Sequence, residues 1–425
     1  MQSDQVLARV YEQHSGGKLY EQGLLVLWFL VIGLPMEGLT PLRYLFILYF
    51  LSFFLFETRN ILTGVVSAWW LTPFLCVAFL SYFWSPYGGE ALRSAILMIL
   101  STVVIIVVAA KFTPLQIVRC LLLSCAGVLL YFVTQPIPME HGAGFGSKNY
   151  AALFMLSGFI LSFSTALNSE EFAPLRWFGL LLTPIFAFLV VSANSTTALF
   201  MLAISAVGLL GLRLVLLDAR RVRGLLSLLI VFGLISFVGI IYGILVFVDQ
   251  SVVDSFLGAF GKDSSFTGRT ALWDEAANQI SMRPYLGVGL EGFWQYDVGS
   301  AQTLNENDHK PFGTKLTFHN VHLEVLVHLG MIGYGFFVLS ILAVIWLLAK
   351  RLLMNCDMVA ITFSVVVSIG LISSMVESSL WSGFNLQAFI FFVGGAAYAR
   401  GERRRYVGNL VRSEVQKTPP TPVLV

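Results

Sequence analysis

Two histidines three positions apart, in His319-Asn320-Val321-His322-Leu323-Glu324, stand where a polar stretch gives way to a long apolar run. A neutral imidazole, with an unperturbed pKa near ~6.5, is suited to take a proton from a hydroxyl at neutral pH. On a helix, positions three apart lie about 60° apart around the axis, so both rings are expected to face one site. His328 falls on the opposite side of that helix, and no third residue with metal-ligand spacing accompanies the pair, so no metal is expected there. The competing reading is a pair of interfacial histidines hydrogen-bonded to loop carbonyls, because polar groups at a helix mouth are rarely left unpaired.

A second group of residues on the same side of the chain suits an anion. Arg43, Arg93 and Lys148 (in Phe145-Gly146-Ser147-Lys148-Asn149-Tyr150) fall beside outward-facing ends of apolar runs, and Arg269 and Arg283 come from the long outer loop. The planar fork of arginine holds phosphate oxygens bidentately and keeps its charge at any physiological pH. Together these residues read as a diphosphate clamp. Snorkelling, or simple pairing with Glu37, Glu90, Glu140 or Glu377, competes with that reading for each one singly.

The elements that must position these groups are membrane helices. The 425 residues are 57% hydrophobic and only 12% charged, with a mean hydropathy of +0.81, where a soluble domain carries roughly 25% charged residues. The chain is therefore expected to be an all-α polytopic membrane protein. Apolar runs of spanning length fall near 24–36, 39–56, 61–84, 91–110, 114–134, 150–167, 174–193, 196–217, 224–248, 321–349, 357–376 and 384–400, about twelve in all. The first is read as an uncleaved helix, since no small-residue cleavage site follows it. Sorting the basic residues onto alternate connections puts 18 on one side and 8 on the other, which makes both termini cytoplasmic by the positive-inside bias. The net charge of +2 is too small to suggest a nucleic-acid partner. Cys76, Cys120, Cys125 and Cys356 lie in or beside apolar runs without ligand spacing and read as packing residues.

The expected organisation is helices one to nine over 1–248, an outer loop over 249–320, helices ten to twelve over 321–400, and a disordered tail over 401–425. Within the loop, Leu272, Ala276 and Ile280 mark one face of an amphipathic helix. Residues 296–318 are expected to be a mobile lid or irregular loop.

His319-Asn320, nine residues, then Gly330-x-x-Gly333 resembles the His-(Asn/Ser/Gln)-x9-Gly-x-x-Gly pattern of the bacterial O-antigen ligases. Gly268-Arg269, Trp273 and Pro284-Tyr285-Leu286-Gly287-Val288-Gly289-Leu290-Glu291-Gly292-Phe293 resemble a run shared by the wider superfamily of ligases, polymerases and oligosaccharyltransferases. The resemblance implies a GT-C-like architecture in the bacterial inner membrane with a periplasmic active site. It further implies metal-independent, cofactor-free, inverting transfer of O-antigen polysaccharide from undecaprenyl diphosphate to the lipid A-core oligosaccharide. His319 or His322 would be the base, Asn320 an orienting group, and Arg269, with Arg43, Arg93, Lys148 and Arg283 behind it, the partner of the diphosphate. One departure stands out: Thr196, in Asn194-Ser195-Thr196-Thr197, occupies the place where many relatives carry an arginine. An O-antigen polymerase and a protein O-oligosaccharyltransferase remain open as alternatives. From another class, so does a lipid or glycan transporter, which would show repeat-related halves and mid-membrane charges.

Overall fold

The apolar runs become helices because a backbone in hydrocarbon must satisfy its own hydrogen bonds. The computed structural model describes residues 17–134, 139, 142, 144–145, 147–218, 269–380 and 383–417. In chain order these form α1 (Leu19–Gly33), α2 (Thr40–Phe56), α3 (Thr58–Ser67), α4 (Thr72–Leu80), α5 (Gly88–Lys111), α6 (Pro114–Val133) and α7 (Lys148–Leu167). Then come α8 (Ala173–Ser192), α9 (Thr196–Asp218), α10 (Arg269–Met282), α11 (Gly299–Asn307), α12 (Val321–Asn355), α13 (Met358–Ser374) and α14 (Leu386–Lys417). Among the described residues there is no strand, and six helices (α5 to α9 and α12) are long and apolar enough to cross a membrane, or seven if the bent α2–α3 pair is one span. The protein is an all-helical, multi-pass membrane protein. The expected run 224–248 lies outside the described residues, as do 249–268 of the outer loop.

Aromatic packing fills the bundle. Trp28 of α1 is enclosed by Phe46, Phe50 and Phe384 at ring separations of 6.0, 5.6 and 5.9 Å, spacings at which edge-to-face contacts are favourable. Gly158 and Gly179 let α7 and α8 approach closely, since a methyl group would meet the Phe186 ring and the Ser162 carbonyl at 2.5 and 2.7 Å.

Three sequence expectations are corrected. The run 61–84 is not one helix: α3 turns 106° from α2 at Glu57, and a 3-10 turn at Trp69–Leu71 separates it from α4. Thr72-Pro73 opens α4, where a proline needs no amide partner, and the Trp70 carbonyl in the break accepts from Ser340 Oγ of α12 at 3.0 Å. The segment 296–318 is irregular only in part, since Gly299–Asn307 forms α11 and residues 308–318 are turns and extended chain. Val298, Ala301 and Leu304 line one face of α11 and join Leu272, Ala276, Val288, Phe293, Trp294 and Phe318 in a separate apolar cap. Asn305 is only 1% exposed, its amide donating to Thr314 O at 3.0 Å and Gln302 Oε1 at 3.2 Å. Finally, the tail expected to be disordered is helical to Lys417, since no proline interrupts the chain between Ala399 and Thr418.

Candidate functional site

Asn320 begins α12. Its side-chain oxygen accepts from the amides of His322 and Leu323 at 2.9 and 3.2 Å, the work of an N-cap residue. His319 therefore sits outside the helix, in a turn with φ +49°, and only His322 is helical. This corrects the expectation of two rings about 60° apart on one helix face. Asparagine is a strong cap, and a cap ends the helical register at itself.

The rings nevertheless meet one short stretch. Ser374-Met375-Val376-Glu377-Ser378, following α13, contacts the motif almost residue by residue. Ser374 Oγ lies 3.1 Å from His322 Nε2, and Met375 O accepts from Asn320 Nδ2 at 3.1 Å. Glu377 Oε2 lies 3.2 Å from His319 Nδ1, and Ser378 Oγ donates to Glu324 Oε1 at 3.4 Å.

Glu377 is the hub. Its other oxygen, Oε1, accepts from Arg269 Nη2 at 2.9 Å and from Asn149 Nδ2 at 2.9 Å. Burial pushes the carboxyl up, but the bond and charge from His319, the charge of Arg269 and the Asn149 bond outweigh it and hold Glu377 below the ordinary carboxylate value. An ionised carboxylate only accepts hydrogen bonds, so the proton of a neutral His319 sits on Nδ1. Nε2 then presents a lone pair, and it has no partner among the described residues. The side chain of His319 is 31% exposed, against 13% for Glu377.

His322 is held differently. The single proton of Ser374 Oγ goes to Leu371 O at 2.7 Å, so the hydroxyl accepts from His322 Nε2. On the other side Tyr334 OH lies 3.2 Å from Nδ1, and it supplies the donor that nitrogen needs. Both ring nitrogens are engaged by protein.

The segment that carries His319 is fixed from three directions. Phe318 is fully buried between Phe293 and Trp294, at ring separations of 5.1 and 4.7 Å. Its carbonyl accepts from Trp273 Nε1 at 2.9 Å, and its amide donates to the buried Glu324 at 2.6 Å. The glycine motifs explain how α10 and the loop reach this place. At Gly330 (φ +62°) α12 is broken. The amides of Met331 and Ile332, which in an unbroken helix would bond the Val327 and His328 carbonyls, bond Pro284 O and Tyr285 O at 2.8 and 3.2 Å. The freed carbonyls instead accept from Val288 and Gly289 at 2.9 and 2.8 Å. Residues 284–289 are thus inserted into the hydrogen-bond ladder of α12. A methyl group on Gly330 would meet the Tyr285 backbone at 2.3 Å, and one on Gly287 would meet Val327 O at 2.5 Å.

Of the cations read from sequence, the structure brings Arg269 onto Glu377, the carboxylate that also meets His319, and half-buried Lys148 precedes Asn149 at the start of α7. Arg43 donates to the Val31 and Leu34 carbonyls at 3.4 and 3.2 Å, closing the end of α1. Arg93 and Arg283 are exposed on α5 and after α10. At the departure noted at Thr196, the neighbouring Ser195 donates to Asn149 Oδ1 at 2.9 Å. Asn149 and Ser195 were not singled out from sequence, and Glu377 only as a competing ion-pair partner. The signal available was a carboxylate among serines, Ser373-Ser374-Met375-Val376-Glu377-Ser378-Ser379, closing an otherwise apolar run on the outer side. Among the described residues no three His, Cys, Asp or Glu side chains are gathered for a metal ion.

The chain is a multi-pass helical bundle whose loop is spliced into a broken helix below a histidine turn. Residues 178–338 match the O-antigen ligase family, so the chain carries a domain of that family, as the motifs implied. A curated relative, the exopolysaccharide production protein ExoQ of Rhizobium meliloti (strain 1021), is 27% identical over 368 residues, 83% of this chain and 81% of the relative. The family match contains Arg269, both glycine motifs and the histidines. Glu377 and Asn149 lie outside it.

Proposed function

We propose that the chain transfers a glycan from undecaprenyl diphosphate to an acceptor hydroxyl at the outer face of the bacterial inner membrane, with the lipid A-core oligosaccharide as the acceptor. The observation that carries this reading is Glu377, which holds His319 by one oxygen and Arg269 by the other. His319 Nε2 takes the proton of the acceptor hydroxyl as its oxygen bonds the anomeric carbon. The bond from that carbon to the diphosphate breaks on the opposite face, and the configuration inverts. Glu377 steadies the imidazolium that forms. Arg269, with Lys148 beside the site, neutralises the departing diphosphate. His322, both nitrogens engaged, holds the turn against α13. The apolar helices offer a surface for the polyprenyl chain.

A second reading, polymerisation of lipid-linked repeats, is favoured by one observation: the relative named for exopolysaccharide production matches over most of both chains. The chemistry is the same and the acceptor differs. Deletion of the gene, followed by gel analysis of lipopolysaccharide and sizing of secreted polysaccharide, separates the two. Loss of long lipopolysaccharide chains with accumulation of lipid-linked glycan supports ligation. Intact lipopolysaccharide with lost or shortened secreted polymer supports polymerisation. If neither glycan changes, both readings fall.

A further inference from the structure

Glu377 Oε1 has two donors, and they differ in kind. Arg269 is a cation that an incoming diphosphate attracts. Asn149 is neutral, and it is itself held: Ser195 Oγ donates to Asn149 Oδ1 at 2.9 Å while accepting from the Ala198 amide at the start of α9 at 3.4 Å. The bonds run in one direction, from the N-terminus of α9 through Ser195 and Asn149 to the carboxylate, an arrangement in which each bond polarises the next. Ser195 is buried, and the bonds tie α7 and α9 to the Glu377 carboxylate through neutral groups.

We infer that Asn149 and Ser195 are positioning residues for the transfer: they keep Glu377 aimed at His319 when Arg269 turns from the carboxylate to the diphosphate of the donor. The inference rests on the proposed base role of His319. An arginine shared between carboxylate and phosphate leaves Glu377 without its charged partner at the moment the imidazole must accept a proton. A donor that no anion draws away keeps the carboxylate in place, and the full negative charge then favours the imidazolium. The charged groups facing Glu377 are Arg269 from α10 and His319 from the turn, with the neutral Asn149 from α7.

The test is steady-state transfer by the full-length protein in liposomes. The donor is undecaprenyl-diphosphate-linked glycan extracted from membranes of the deletion strain, and the acceptor is lipopolysaccharide core or lipid-linked repeat from the same strain. Asn149→Ala is expected to lower kcat about tenfold with the KM for donor unchanged, and to move the acid limb of the kcat profile to lower pH. The sign follows because a less steady carboxylate supports the imidazolium less, which lowers the pKa of the base. Ser195→Ala is expected to give the same change at about threefold, and Asn149→Gln and Ser195→Thr to restore part of it. A wild-type kcat and acid limb in Asn149→Ala overturns the inference, and so does a fall in kcat with the limb unmoved in both Asn149→Ala and Ser195→Ala. Full activity in His319→Gln would instead remove the reading beneath it. If Asn149→Ala does not fold, Ser195→Ala and Asn149→Gln decide by the same two readouts.

Discussion

Among the described residues, two of the clusters in which cations meet carboxylates lie at opposite ends of the bundle and invite comparison. Ser94, near one end of α5, bonds Glu291 of the outer cap at 3.0 Å, and Lys111 ends the same helix roughly 25 Å away at 1.5 Å per residue. Lys111 lies between Glu21, at 2.7 Å, and Glu57, with its ammonium 4.3 Å from the Phe53 ring centroid. Its side chain is 10% exposed and that of Glu21 only 5%, with Glu57 at the rim at 30%. Close by, Arg400 is buried, bonded to Asn60 Oδ1 at 2.7 Å. Every charge in that cluster is matched within the protein. The outer cluster is built from the same kinds of groups but is left half open. Arg269 bonds Glu377 through one arm of its fork, His319 Nε2 has no partner among the described residues, and both side chains remain partly exposed at 16% and 31%. A closed cluster joins helices, whereas an open one keeps bonding capacity for a ligand.

The sharpest way to break this contrast is at the free nitrogen. His319→Gln and His319→Ala are each expected to reduce transfer by ~10²-fold or more, the usual cost of a lost general base, with the protein still inserted and folded. Gln keeps a hydrogen bond to Glu377 but accepts no proton. His322→Gln is expected to retain most activity, because that ring already gives both nitrogens to Ser374 and Tyr334. Transfer assays on purified variants check both, and the reverse result would move the base to His322. Next in size is the guanidinium. Arg269→Ala is expected to cost about 10-fold to 100-fold in kcat/KM at unchanged protein level, as for a lost charge stabiliser. Arg269→Lys is expected to recover only part, since a point charge does not replace the fork.

What the sequence made legible follows the same division. Apolar length alone marks the helices, and the half-open site announces itself through His319, Asn320 and Arg269, because unpaired-looking polar groups beside a span are conspicuous. The partner that organises them does not. Glu377 is 58 positions from His319 and 108 from Arg269, and a single carboxylate after an apolar helix looks like any loop residue. Periodicity misplaced His319 because it takes no account of a cap, and Asn320 ends the register where it stands. It also read α12 as continuous, because the break at Gly330 is repaired by amides from residues 288 and 289, which no local pattern displays. The cap helix α11 was missed because its buried face mixes Ala301 and Leu304 with Gln302 and Asn305, so no apolar period shows.

At the closed cluster the expected effect shifts from activity to stability. Lys111→Met takes the ammonium from buried Glu21 and partly exposed Glu57, which keep the Lys18 amide and Asn60 as donors, and removing one side of a buried pair typically costs up to roughly 3–5 kcal/mol. Less folded protein and a lower melting temperature are expected, while kcat per folded molecule stays at the wild-type value. A specific loss of kcat at full stability would show that the closed cluster is not merely a joint.

The smallest effect is a pH dependence that distinguishes the outer carboxylate from a passive one. Glu377 is held below the ordinary carboxylate value in the folded protein, so the folded state binds its proton less readily than the unfolded chain does. Stability then falls as protons are added. The contribution of Glu377 is complete above the unfolded value, about 4.3 for a glutamate, and is lost as the pH drops through the depressed folded value. Glu377→Gln removes the titrating group but keeps a side chain able to bond Asn149 and His319. Its melting temperature is therefore expected to lie below that of the wild type by on the order of 2 °C at pH 7, with the difference closing as the pH falls below about 4. Thermal unfolding of both proteins across that range measures it. A gap that persists unchanged into acid would mean that Glu377 stabilises the fold by something other than its titrating charge.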